Sequence, residues 1–186
     1  MQKYIPFGVD QDILDEIGRW KVLPLRALYE SLNQPMHYSG LCKRVQKLER
    51  TGMIKGFTGQ KAKYLILTAK GHAISKFNNY YEASEDSLNN DLIASLVLRR
   101  LLQFENFKSG FIFNDEASEV EPDGIIHAVH HDKEYILAVE VELTQKKRTR
   151  VAIKFSKYMD HPTFNHVLYI FNKHAAFEAY KNILTE

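Results

Sequence analysis

PDGIIHAVHHDKEYILAVEVE, residues 122–142, decides how the second half of this chain folds. Apolar and β-branched residues fill Gly124–His130 and Tyr135–Leu143, and a polar centre separates them, which is the pattern of a β-hairpin. Asp123 opens the first strand, and Glu140 and Glu142 close the second, starting seventeen residues later. A turn centred on Asp132-Lys133 makes paired residue numbers sum to 265, so that His131 faces Glu134 and Asp123 faces Glu142. Directly opposed side chains lie about 5 Å apart at Cβ and diagonal ones roughly 7 Å, which brings Glu140 into the same group. Glu140 and Glu142 share a face because strand side chains alternate, and Leu137, Val139, Val141 and Leu143 form the opposite, apolar face. Like charges on a sheet face repel and lose hydration, so three carboxylates gathered there point to a hard divalent cation, Mg2+ or Mn2+.

The charge along the chain supports a polyanion partner. Net charge is only +2, but residues 37–76 hold nine Lys or Arg and one acid, Glu49. Residues 115–142 then hold nine acids and one base, Lys133, and residues 146–157 hold six bases and no acid. Two basic zones flank an acidic one, as suits nucleic acid beside a cation.

Within the first basic zone, helical periodicity is clear. Val9, Ile13, Leu14 and Ile17 repeat at helical spacing, and so do Leu25, Leu28, Tyr29 and Leu32, with Pro24 ahead of them and Asn33-Gln34-Pro35 as the break. A third helix spans about Tyr38–Arg50, with Leu41, Val45 and Leu48 inward and Lys43, Arg44, Gln46, Lys47 and Arg50 outward. Thr51-Gly52 ends it. Met53–Phe57 and Ala62–Leu67 flank a turn near Gly59, and Thr68–Gly71 opens a short helix reaching about Lys76. Three helices and a hairpin, with Val45-x-x-Leu48-Glu49-x-x-Gly52-Met53-Ile54 and Tyr64-x-Ile66-Leu67-Thr68-x-x-Gly71, resemble the winged helix-turn-helix superfamily. That resemblance implies a third helix in the major groove of double-stranded DNA and a wing against phosphates, with Gln60, Lys61 and Lys63 on the wing.

The polar stretch 81–90 reads as a linker between a domain at 1–80 and another at 91–186. The second domain begins with an amphipathic helix at about Asp91–Phe104, with Leu92, Leu96 and Leu101 inward. A short strand at Phe111–Phe113 and the hairpin follow. A basic helix at Lys146–Tyr158 carries an inner stripe of Val151, Phe155, Tyr158 and Met159; a strand at His166–Phe171 and a closing helix complete the chain. The fold class is α+β: a winged helix-turn-helix followed by an αβββαβ unit.

An αβββαβ order with Pro122-Asp123 on one strand and Glu140-x-Glu142 on the next is similar to the PD-(D/E)xK nuclease superfamily, the restriction-endonuclease-like fold. Glu142 stands where that pattern places a lysine; Lys146, Lys154 and Lys157 on the following helix are its substitutes. Adding the winged helix and Lys154-Phe-Ser-Lys-Tyr158, the chain resembles the replication-relaxation family and the MobC-class plasmid relaxases. The resemblance implies a metal-dependent endonuclease or relaxase that nicks plasmid or mobile-element DNA. It assigns Asp123, Glu140 and Glu142 to the metal, with Glu142 alternatively a general base. It assigns Lys154 to the developing phosphate charge, Tyr158 to its positioning, and Arg148 and Arg150 to the DNA backbone. A homodimer stays open, since two winged helices on a palindromic site are common, and other mobilisation or replication proteins are candidate partners.

No run of about 18 apolar residues exists, so no membrane span is expected. Met1–Asp10 lacks a signal pattern, and Cys42 is the only cysteine, so a cytoplasmic protein is the default. His127, His130 and His131 lack a second ligand group at zinc spacing and read as hairpin surface. Two function classes stay open: a metal-dependent DNA endonuclease, and a non-catalytic DNA-binding regulator of plasmid replication or transcription on a degenerate nuclease fold.

Overall fold

In a computed structural model the described residues are 4–32, 35–59, 62–77, 85–113 and 119–185, with backbone alone for 85–87. Gln60 and Lys61 of the expected wing, the expected break at Asn33-Gln34, residues 81–84 of the expected linker, and the acids Asp115 and Glu116 lie outside them. The chain is a mixed α and β protein with two sheets, and it divides into two compact units, Met1–Leu92 and Ile93–Glu186.

In the first unit the order is α1 (Val9–Trp20), β1 (Val22–Pro24), α2 (Leu25–Ser31), α3 (Tyr38–Arg50), β2 (Ile54–Thr58), β3 (Lys63–Leu67) and α4 (Ala69–His72). The apolar stripes of the helices converge, and Ile13, Leu14, Ile17, Leu28, Leu41 and Leu48 are fully buried. β1 was not expected: three residues are too few for periodicity to register. Lys21, at φ 63, turns the chain out of α1, and β1 then pairs antiparallel with β3, giving the sheet order β1-β3-β2.

α4 is shorter than the expected run to Lys76. After His72 the chain continues as turns, and the Asp15 carboxylate accepts the Lys76 backbone N–H at 3.0 Å. Gly71 is required where it stands, because a Cβ there would overlap the Met53 carbonyl oxygen.

The second unit holds most of α5 (Glu85–Leu101), then β4 (Phe107–Ile112), β5 (Gly124–His130), β6 (Lys133–Glu142), α6 (Arg148–Met159), β7 (His166–Phe171) and α7 (His174–Thr185). The division between units falls inside α5, later than the 81–90 stretch, because Leu88 and Leu92 pack on Val22 and Ile66 of the first sheet. The second sheet has the order β4-β5-β6-β7, antiparallel except for the parallel pair β6–β7 that α6 connects.

Two inward assignments are corrected. Met159 is 84% exposed, because Val151, Phe155 and Tyr158 form a stripe that the last residue of α6 has already turned past. Leu96 is exposed too; the inward face of α5 is Asp91, Ala94, Ser95 and Leu98.

The hairpin is corrected in register but not in parity. Its turn is His131-Asp132, with φ of 48 and 61, and His130 pairs with Lys133, so paired numbers sum to 263. A two-residue turn of this kind needs positive φ at both positions, which Asp and His tolerate better than most residues. Lys133, placed in the turn by the sequence reading, is the first residue of β6.

Candidate functional site

The last ladder pair of the hairpin, Gly124 with Val139, sets the geometry of the acids. Continuing that register puts Asp123 level with Glu140 rather than with Glu142. Asp123 is tied to β6 directly, since its Oδ2 accepts the Val141 backbone N–H at 2.6 Å. Glu140 and Glu142 share the face that α6 and α7 cover, and both are buried. Among the described residues no group of three His, Cys, Asp or Glu side chains is placed to hold a metal ion. Asp123 sits level with Glu140, and Glu142, diagonal to it, lies beside Lys146 and Tyr180 of α7.

α6 brings two partners to Glu140. The Lys154 Nζ lies 2.5 Å from Oε2, and the Tyr158 hydroxyl donates to Oε1. Burial nonetheless pushes the Glu140 carboxyl up to about 7, against the pull of Lys154 and Tyr158 and with a further push from the negative charge of Asp123. Burial likewise raises Glu142, opposed by Lys146 and by Tyr180 of α7. The Tyr180 hydroxyl is fully enclosed beside Glu142 without a hydrogen bond of normal geometry, and so is the Tyr169 hydroxyl of β7. Burial and the neighbouring carboxylates raise both phenols well above their usual range.

Sequence reasoning missed these two tyrosines, since single aromatic residues on an apolar strand and a closing helix read as core. The parallel register of β6 with β7, which sets Tyr169 beside Glu140, carried no sequence signal.

The donor set tests the implied metal. Asp123 and Glu140 offer only oxygens, crowd negative charge, and suit a hard divalent cation that keeps several waters. Those two carboxylates fit such an ion; the three-carboxylate set does not. Among the remaining bases of this unit, Arg148 and Arg150 lie exposed in the first turn of α6, preceded by exposed Lys146 and Lys147. Lys157 donates to the Glu119 carbonyl at 3.0 Å instead of facing the acids. His127, His130 and His131 are exposed.

In the first unit, Lys43, Gln46 and Arg50 are exposed on α3. Arg44 and Lys47, with side chains 43% and 46% exposed, are ion-paired: Arg44 Nη1 lies 2.7 Å from Asp10 Oδ1, and Lys47 Nζ lies 3.0 Å from Asp10 Oδ2. Lys63 pairs with Glu49 at 2.7 Å. Asp10 gave no sequence signal, because an acid in the first turn of a helix is ordinary.

No family model and no curated protein matches the chain, so the resemblance to the replication-relaxation family rests on the quoted motifs alone. Similar solved structures include restriction endonuclease FokI, at TM-score 0.32, and the same enzyme bound to DNA, at TM-score 0.31. Each is 11% identical and covers 95% of this chain. The chain spans 40% and 41% of their lengths. No helix among the described residues is long and apolar enough to cross a membrane.

Proposed function

We propose that the chain is a DNA-binding protein whose second unit is a metal-dependent nicking nuclease. The observation that carries this reading is Lys154 at 2.5 Å from Glu140, beside Asp123. Two acids can hold a divalent cation and a lysine can neutralise charge on phosphate, a set that suits phosphodiester hydrolysis, and a lysine arriving from the helix answers the glutamate at position 142. A bound Mg2+ or Mn2+ would supply Lewis-acid polarisation of a phosphate oxygen and a more acidic water. Asp123 and Glu140 would hold it.

Lys154 is half of an ion pair in the resting protein. With Glu140 holding a cation, the Lys154 ammonium would be available to the charge that develops on phosphate. Tyr158 orients the Glu140 carboxylate through its other oxygen. Glu142, farther along the strand, serves as a proton acceptor rather than a ligand. Arg148 and Arg150 are placed to hold the DNA backbone. In the first unit, which we read as a winged helix-turn-helix, exposed Lys43, Gln46 and Arg50 face the duplex.

The test is incubation of supercoiled plasmid with the protein and Mg2+ or Mn2+. Nicked circles from the wild type that disappear with Asp123→Ala and with Lys154→Ala support the reading. Plasmids with and without a transfer origin separate a relaxase from a general nickase. The closed Glu140–Lys154–Tyr158 group favours one second reading, a DNA-binding regulator whose site no longer cuts; salt-sensitive binding without nicking in either metal would select it.

A further inference from the structure

Asp10 sits in the first turn of α1 with its side chain 3% exposed, although it carries a charge. Three donors converge on it. Arg44 and Lys47 arrive from α3 at 2.7 and 3.0 Å, and the Tyr4 hydroxyl arrives from the segment ahead of α1. The Lys47 ammonium also stands 3.9 Å from the centre of the Tyr4 ring, on its face. Burial pushes the Asp10 carboxyl up, but the hydrogen bonds from Tyr4, Arg44 and Lys47 outweigh it and hold it below the ordinary range. Two cations in the middle of α3 therefore reach toward α1 and pair their charged ends with an internal acid, while their side chains stay 43% and 46% exposed.

We propose that Asp10 withholds Arg44 and Lys47 from DNA, so that α3 meets phosphates through Lys43 and Arg50, with Gln46 between them. This rests on the reading of α3 as the DNA-facing helix. Stripping both partners from a buried carboxylate costs more than an exposed cation gains on a phosphate, which is largely an exchange of counterions. The pairs therefore persist in the complex, and Asp10 sets how many charges α3 offers.

Two measurements test this. In the first, side-chain NMR follows the lysine ammonium and arginine guanidinium resonances of the wild type as a short mixed-sequence duplex is added. Lys43 is expected to shift while Lys47 and Arg44 stay in place. Arg44 and Lys47 shifting together with Lys43 would overturn the proposal and leave α3 as the DNA-facing helix. No shift at Lys43 would remove both.

The second measurement is the salt dependence of binding for Asp10→Asn. Each released cation that reaches a phosphate steepens the slope of log K against log salt by about 0.9, so the variant gains up to ~1.8. Adding Arg44→Gln and Lys47→Gln to Asp10→Asn returns the slope to the wild-type value. A folded Asp10→Asn protein with an unchanged slope refutes the idea. If that variant fails to fold, the wild-type NMR titration decides alone.

Discussion

Lys154 and Glu140 form an ion pair at 2.5 Å between α6 and the buried end of β6, with the carboxylate side chain 2% exposed and the ammonium side chain 30% exposed. The asymmetry gives the pair its character. Water reaches the lysine, but the glutamate depends on Lys154 and Tyr158 for its charge to be tolerated. Replacing Lys154 with Met leaves that carboxylate buried without its cation. The expected loss at pH 8 is about 2–4 kcal/mol, toward the low end because the lysine is part-exposed. Urea unfolding of Lys154→Met, and recovery of most of the loss in the Lys154→Met/Glu140→Gln double variant, checks this.

The same carboxylate makes stability depend on pH in a direction opposite to that of a salt-bridged surface acid. Burial raises Glu140 from 4.5 to about 7 despite Lys154 and Tyr158. Between those values the folded protein binds a proton that the unfolded chain has released. Its contribution is therefore complete below the unfolded value and is lost as pH rises through the folded one. The expected loss is on the order of 3 kcal/mol between pH 4.5 and 8. Asp10, held low, contributes in the other sense: its stabilisation is present above its unfolded value of 3.8 and is lost on acidification below that. Urea midpoints of wild type and Glu140→Gln, followed from acid below the Asp10 value up to pH 8, separate the two. The Gln variant keeps the acid-side loss and loses the Glu140 share of the alkaline-side loss, leaving that of Glu142, which burial also raises.

Periodic apolar residues were sufficient to read the large elements. The stripe Leu41, Val45, Leu48 located α3, and Val151, Phe155, Tyr158 located α6, because burying a helix face forces that spacing. The two-residue period of β5 and β6 likewise gave the hairpin and the shared face of Glu140 and Glu142. Three features were not legible. Only the modest left-handed tolerance of His over Lys distinguishes a turn at His131-Asp132 from one at Asp132-Lys133, yet that choice moves Asp123 from Glu142 to Glu140. Ion pairs across the fold, such as Asp10 with Arg44, depend on which helices meet. Tyr169 and Tyr180 reach the acids only because β7 lies parallel beside β6 and α7 folds back over both.

Gly71 offers a test confined to the first unit. A methyl group on it would overlap the Met53 carbonyl, which also accepts the Thr68 backbone N–H at 3.0 Å. Backbone on backbone cannot be relieved by rotating a side chain, so α4 must move away from the start of β2. Gly71→Ala is expected to cost ~1–3 kcal/mol, despite the better helix propensity of alanine. A fall in the thermal midpoint, with weaker exchange protection at the Thr68 amide, would be the signature. A midpoint at or above that of wild type would contradict the close approach.

The hairpin turn gives the last test, because it sets the register on which the candidate site depends. His131 and Asp132 both hold left-handed backbone, a conformation that costs a non-glycine residue roughly 1–2 kcal/mol. Asn-Gly is the pair this turn prefers, so His131→Asn with Asp132→Gly should stabilise the protein by about 1 kcal/mol. The Val141 amide reports on register, because it donates to Asp123 at 2.6 Å only when Asp123 stands level with Glu140. In the Asn-Gly variant that amide should exchange with solvent no faster than in wild type. Valine at both turn positions should destabilise the hairpin by more than the Asn-Gly pair stabilises it, since β-branched residues tolerate positive φ worst. A Val-Val variant as stable as wild type, with Val141 still protected, would mean that the strands fix the register and the turn merely follows.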